Sequence, residues 1–161
     1  MHAAPNISIS RKGNSLECVA TGRVRAGVRA IVDAHMHPER AHVFRDIRRY
    51  ASYDILRDGT VVTEYPAKVA FFEFAMHVNK KLSGEGNSTT IDFYTPRGLA
   101  AFRGKWTLTP ETETPEMGTR VDLVQTMEVP GWAMRLLPVA SAFRSRIARA
   151  FEDMDALDVC E

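Results

Sequence analysis

Apolar positions in this chain recur first at every second residue and then, towards its end, at every third or fourth. Over residues 68–80, Ala70, Phe72, Phe74, Met76 and Val78 share one side while Glu73, His77 and Asn79 share the other, which predicts a strand with its apolar face buried. Residues 89–95 alternate through Ile91 and Phe93, residues 99–109 through Phe102, Gly104, Trp106 and Leu108, and residues 119–129 through Val121, Leu123, Gln125, Met127 and Val129. Asp58-Gly59 is a hairpin signal between residues 53–57 and 60–65, and the Gly- and Ser-rich stretch 83–88 has the composition of a tight turn. Residues 28–34 read as a first strand, with Val28, Ala30, Val32 and Ala34 on one face. A short helix is expected after it, because Pro38 and Glu39 suit a first turn and Ala41, Val43, Phe44 and Ile47 continue the pattern.

From residue 131 the period changes. Leu136, Ala140, Phe143, Ile147, Phe151, Met154 and Leu157 fall on one side of a single long helix spanning 131–157. Such a stripe needs a surface to cover, and the apolar face of a curved antiparallel sheet supplies one, with room for a hollow between the two. Gly104, set between Phe102 and Trp106, leaves space on that face for a bend or a ligand.

Composition narrows the function classes. The 161 residues, 45% of them apolar, suffice for one domain with a real core. Twenty-one Lys and Arg against 20 Asp and Glu leave a net charge of +1, too small for a protein that holds nucleic acid through its phosphates. Cys18 and Cys160 lie near opposite ends and suggest neither a zinc ribbon nor a disulfide scaffold, which fits a reducing, intracellular compartment. Apolar runs are interrupted by charges well before about 18 residues, so a soluble or peripheral protein is expected. Residues 1–27 are basic and poor in acids; a flexible arm and the remnant of a chloroplast or mitochondrial transit peptide both fit, with room for an extra strand.

The element order and several short motifs resemble the START-related superfamily, the helix-grip fold of polyketide cyclases, plant Bet v 1-like proteins and coenzyme Q-binding proteins. The resemblance rests on Pro38-Glu39-Arg40, on Val43-Phe44-Arg45-Asp46-Ile47 with Tyr50, and on Phe102-Arg103-Gly104-Lys105-Trp106 and Gly118-Thr119-Arg120-Val121; it covers residues 28–158. It implies an α+β domain over 28–161 in which a curved antiparallel sheet of about six to seven strands wraps a long C-terminal helix, with a short helix after the first strand. It also implies a cavity for an apolar ligand such as a lipid, quinone, isoprenoid or polyketide. The lining expected here is Phe72, Phe74, Met76, Phe93, Phe102, Trp106, Leu123 and Met127 from the sheet and Phe143 and Ile147 from the helix. The same side chains would serve equally as plain core.

Other chemistry is thin. Residues 31–38 hold Asp33-x-His35-x-His37, which on an extended strand is the first metal-binding segment of amidohydrolases, but that fold needs about 250 residues and later ligands. No metal, cofactor or catalytic residue is therefore expected. His77 beside Glu73 and Asn79 would support proton transfer only if that strand face met the cavity. Arg135, Arg144, Arg146 and Arg149 border the helix stripe, and with the basic arm they offer a contact surface for an anionic membrane or a protein complex. The acidic residues after them, Glu152, Asp153, Asp155, Asp158 and Glu161, oppose the helix dipole. The leading expectation is non-catalytic carriage of a hydrophobic ligand. The alternatives are an accessory subunit docked on a larger, organellar membrane assembly, and an enzyme of the polyketide cyclase or dehydratase type, which needs an acid or base facing the cavity.

Overall fold

Period-two alternation builds the sheet, and at two of its hairpins glycine admits the left-handed backbone that reverses the chain. In the computed structural model, which describes residues 4–47, 50–69, 71–112 and 118–157, the strands are β1 (Asn6–Lys12), β2 (Ser15–Val24), β3 (Ser52–Ile55), β4 (Val61–Val69), β5 (Phe72–Glu85), β6 (Ser88–Tyr94), β7 (Ala101–Glu111) and β8 (Gly118–Glu128). They form one antiparallel sheet in the order β1-β2-β8-β7-β6-β5-β4-β3. Gly59 turns the β3–β4 hairpin at φ +86°, and Gly86 turns β5 into β6 at φ +61°. The helices are α1 (Val28–Met36), α2 (Gly131–Leu136) and α3 (Val139–Asp155), with short 3-10 turns at Pro38–Val43 and Arg45–Ile47. This is the expected α+β helix-grip architecture, with one or two strands more than expected. Among the described residues no helix is long and apolar enough to cross a membrane.

Four sequence expectations change. The basic stretch within 1–27 is an ordered hairpin over β1 and β2, whose Leu16, Cys18 and Ala20 are buried and whose β2 pairs with β8 along its full length, so the sheet extends across the expected border at residue 28. Residues 28–34 belong to helix α1: Ile31, Ala34 and His35 are buried together, a three- and four-residue spacing that outweighs the β-branched Val28, Ile31 and Val32. The strand expected over 68–80 is the end of β4 and the start of β5, the chain reversing between Val69 and Phe72; Ala70 lies outside the described residues. Finally, the terminal helix is two helices. Leu137 precedes Pro138, and the proline ring disfavours helical backbone there, so Leu137 is extended (φ −114°, ψ 147°) and Pro138 caps α3.

That break removes Leu136 and Ala140 from the stripe; both are exposed, Leu136 to 77%. The buried face of α3 is Val139, Phe143, Ile147, Phe151 and Met154. Phe151 meets Trp106 of β7 edge to face (centroids 5.7 Å apart) and lies over Gly22 of β2, where an added Cβ would stand 2.9 Å from its ring. Phe151→Ala is expected to cost about 3–5 kcal/mol, whereas Leu136→Ala changes stability by less than about 0.5 kcal/mol. Chemical denaturation of the two variants checks the division of the helix; equal losses would contradict it.

Candidate functional site

The concave face of the sheet and α3 meet closely at Phe151 but part along the neighbouring side of the helix, and a partly open cavity of about 190 Å³ lies between them. Strands β5 to β8 contribute through their inward positions: Phe74, Met76, Val78 and Lys80 from β5, Phe93 from β6, Phe102 and Trp106 from β7, Gln125 and Met127 from β8. Ala142, Phe143, Ile147 and Ala150 close it from α3, and Phe44, between the two 3-10 turns, and Ile47, at the end of the second, cover it. Of the ten residues expected to line a hollow, eight do. Leu123 is fully buried in the solid core, and Phe72 sits outside the cavity, between Phe74 and the half-exposed Trp132 of α2.

Gly104 opens no ligand space. An added Cβ there would meet the Phe93 ring at 2.7 Å and the Val124 carbonyl at 2.6 Å, so the missing side chain admits Phe93, which then forms the cavity wall. Gly104→Ala is expected to lose about 1–3 kcal/mol through overpacking, measurable as a lowered midpoint of thermal unfolding; an unchanged midpoint would mean that the wall yields.

The His77 face of β5 turns away from the cavity. His77 lies 3.9 Å from Glu64 of β4, and Asn79 donates to the Tyr94 hydroxyl of β6 at 3.1 Å. A different pair faces inward, missed because neither member belongs to an apolar pattern. Lys80 continues the Phe74-Met76-Val78 side of β5 and is only 8% exposed; its Nζ lies 3.3 Å from Nδ1 of His35, 6% exposed on α1. The imidazole is held between Phe44 (4.7 Å) and Trp106 (5.6 Å). Because α1 is a helix, residues two apart diverge, so His37 points to the surface and toward Asp33 (3.6 Å) while His35 enters the core. The Asp-x-His-x-His spacing therefore does not put its two imidazoles on one site.

Burial pushes the Lys80 ammonium down from 10.5 to about 8. Burial, and then the Lys80 charge, hold His35 well below the ordinary imidazole range, so this ring is neutral at physiological pH.

Ion pairs fasten the cover over the cavity. Arg45 binds Asp153 through Nε (2.6 Å) and through its backbone N–H (2.9 Å), while Asp46 accepts from Arg149 (3.1 Å) and lies 3.9 Å from Arg146. Asp46, Arg146 and Asp153 lie at the cavity edge. The helix arginines are thus largely engaged within the fold; Arg144 donates to the Ile7 carbonyl of β1 at 3.0 Å. The acidic end of α3 is matched in the same way, Asp155 taking the backbone N–H of Arg25 at 2.8 Å. Asp158, Cys160 and Glu161 lie outside the described residues.

No family model matches the sequence, and no curated protein matches it. Solved structures do match in shape. The human StarD13 (DLC2) lipid transfer and protein localization domain superposes with a TM-score of 0.68 at 10% identity, covering 96% of this chain and 86% of that one. This chain has a START-like fold. A STAR-related lipid transfer protein from Xanthomonas axonopodis gives 0.60 at 12% identity over 92% and 95% of the two chains. The Zhui aromatase/cyclase from Streptomyces sp. R1128 gives 0.57 at 12% identity over 86% and 93%. At these identities the likeness fixes the START-like architecture.

Lys80 gives the START-like core a measurable pH signature. A base whose folded value (about 8) lies below its unfolded value (10.5) leaves the unfolded chain holding more protons between the two, so its cost is complete below pH 8 and is relieved as pH rises to 10.5. Lys80→Met is expected to be more stable than the native chain at pH 7, by up to about 3 kcal/mol, with the gap closing across pH 8–10.5. Denaturant unfolding of both proteins over that window checks it; a constant gap would contradict the buried titration.

Proposed function

We propose that this chain binds a small hydrophobic molecule, without chemistry, in the hollow between the sheet and α3. The observation that carries the proposal is the cavity, whose walls are mostly aromatic and aliphatic side chains held on regular elements. Its volume of about 190 Å³ limits the occupant. A dry cavity of about 150 Å³ accepts a benzene-sized molecule, so a single ring or a medium-length chain fits, whereas a two-chain lipid would need the cover to move. The lipid transfer named for the StarD13 and Xanthomonas proteins supports the class of ligand. Met76 and Met127 on the wall allow adjustment to its shape.

The test is direct binding. Calorimetry with octanol is expected to show saturable binding to the native protein, and Ala142→Phe, which fills the cavity from α3, is expected to weaken it at least tenfold while the protein stays folded. Native mass spectrometry adds whether a ligand co-purifies. A native protein that binds neither octanol nor any co-purified apolar compound would overturn the proposal.

A second reading, an enzyme of the cyclase or dehydratase type, is favoured by one specific feature: the ammonium of Lys80, with His35 beside it, places an acid on the cavity wall that can stabilise an enolate. It predicts accelerated hydrogen–deuterium exchange at the acidic carbon of a bound β-diketone, lost in Lys80→Met. Exchange no faster than in buffer would remove it.

A further inference from the structure

The two ends of the cavity differ. Along β5 the inward positions run from Phe74 to Lys80, about 20 Å at the strand rise, and only the Lys80 end is charged on that strand. There, Lys80 is paired across the sheet with Phe93, Gly104 and Gln125 in one row, and His35 is the neighbour that α1 brings over it. Among the described residues no carboxylate is paired with the ammonium, and Nε2 of His35 has no partner. With the ammonium donating to Nδ1, the neutral ring carries its proton on Nε2. The pair therefore presents donors: the remaining N–H groups of Lys80 and the Nε2–H of His35.

Buried charges are held by opposite charge, and buried donors by acceptors. We propose that the ligand is a small monocarboxylate amphiphile whose carboxylate is held by Lys80 and His35 and whose apolar body extends past Phe102 and Met127 toward Phe74. This rests on the reading that the cavity binds a small hydrophobic molecule and adds the chemistry of its head. A carboxylate fits the donors because it has two acceptor oxygens and one negative charge, so one group meets both the ammonium and the imidazole N–H. An amine-headed amphiphile would place like charges together and is rejected. The cavity volume of about 190 Å³ accommodates a single aromatic ring or a medium chain behind that head.

The experiment compares octanoate, octanol and octylamine, matched in chain and different in head, by calorimetry at pH 7 on the native protein and on Lys80→Met and His35→Phe. Native protein is expected to bind octanoate about ten- to a hundredfold more tightly than octanol and octylamine more weakly than either. Lys80→Met is expected to lose the preference for octanoate while keeping octanol binding, and His35→Phe to lose part of it. Equal affinity for octanoate and octanol, or a preference that survives in Lys80→Met, overturns the carboxylate assignment and leaves the apolar cavity standing. Binding of none of the three overturns both. If Lys80→Met fails to fold, Lys80→Gln serves in its place, with the same outcomes.

Discussion

Burial of α3 against the concave face of the sheet is the contact on which the remaining structure depends, and it is uneven around the helix. On one side Phe151 meets β2 and Trp106 closely, because Gly22 removes a side chain beneath the Phe151 ring, and Met154 is fully buried one turn on. On the neighbouring side, which lines the cavity from Val139 to Asp153, small side chains, Ala142 and Ala150, accompany Phe143 and Ile147. The packed side supplies stability and the open side supplies the hollow, from one helix and one sheet. The Pro138 break ends α2 before α3 begins and leaves Leu136 exposed, outside the packed face of α3.

Charge is used to close the cup rather than to build it. The Arg45–Ile47 turn carries Ile47 over the cavity, and its position is fixed by Arg45 on Asp153 and Asp46 on Arg149, both anchored in α3. Most of these groups are partly exposed, so their attraction is screened and modest singly. Their value is geometric: two crossed pairs from adjacent residues fix both the height and the rotation of the turn. They also account for the acidic C-terminal half of α3, which would otherwise oppose the helix dipole; the acids are met by arginines that come from the loop after β2 and from the 3-10 turns.

Much of this was legible in the sequence, and the exceptions have physical causes. Strands β6 to β8 alternate because one face packs and the other meets water, and the Asp58-Gly59 turn was stated by its residues. Helix α1 was misread because Val28, Ile31 and Val32 favour strands locally, while tertiary burial of Ile31, Ala34 and His35 decided the outcome. The β1–β2 hairpin was hidden by its basic residues, although Leu16, Cys18 and Ala20 alternate as plainly as any later strand. The apolar cavity wall followed from the same alternation that gave the strands. Lys80 and His35 did not, because an inward charged residue violates the pattern used to find the inside; only the continuation of Phe74-Met76-Val78 by one more step pointed to Lys80.

That violation is informative because of its size. Replacing the expected apolar side chain at position 80 by an ammonium costs about 3 kcal/mol near neutral pH, a sizeable share of the 5–15 kcal/mol that stabilises a typical domain. The hydrogen bond to His35 offsets little, since a neutral imidazole cannot balance a charge. An anion that enters the cavity does balance it, and by linkage whatever binds the folded state alone raises its stability. Occupancy and folding are then coupled through one side chain. A wholly apolar ligand would leave the cost in place, whereas an acidic one restores the ammonium to the environment it lost on burial.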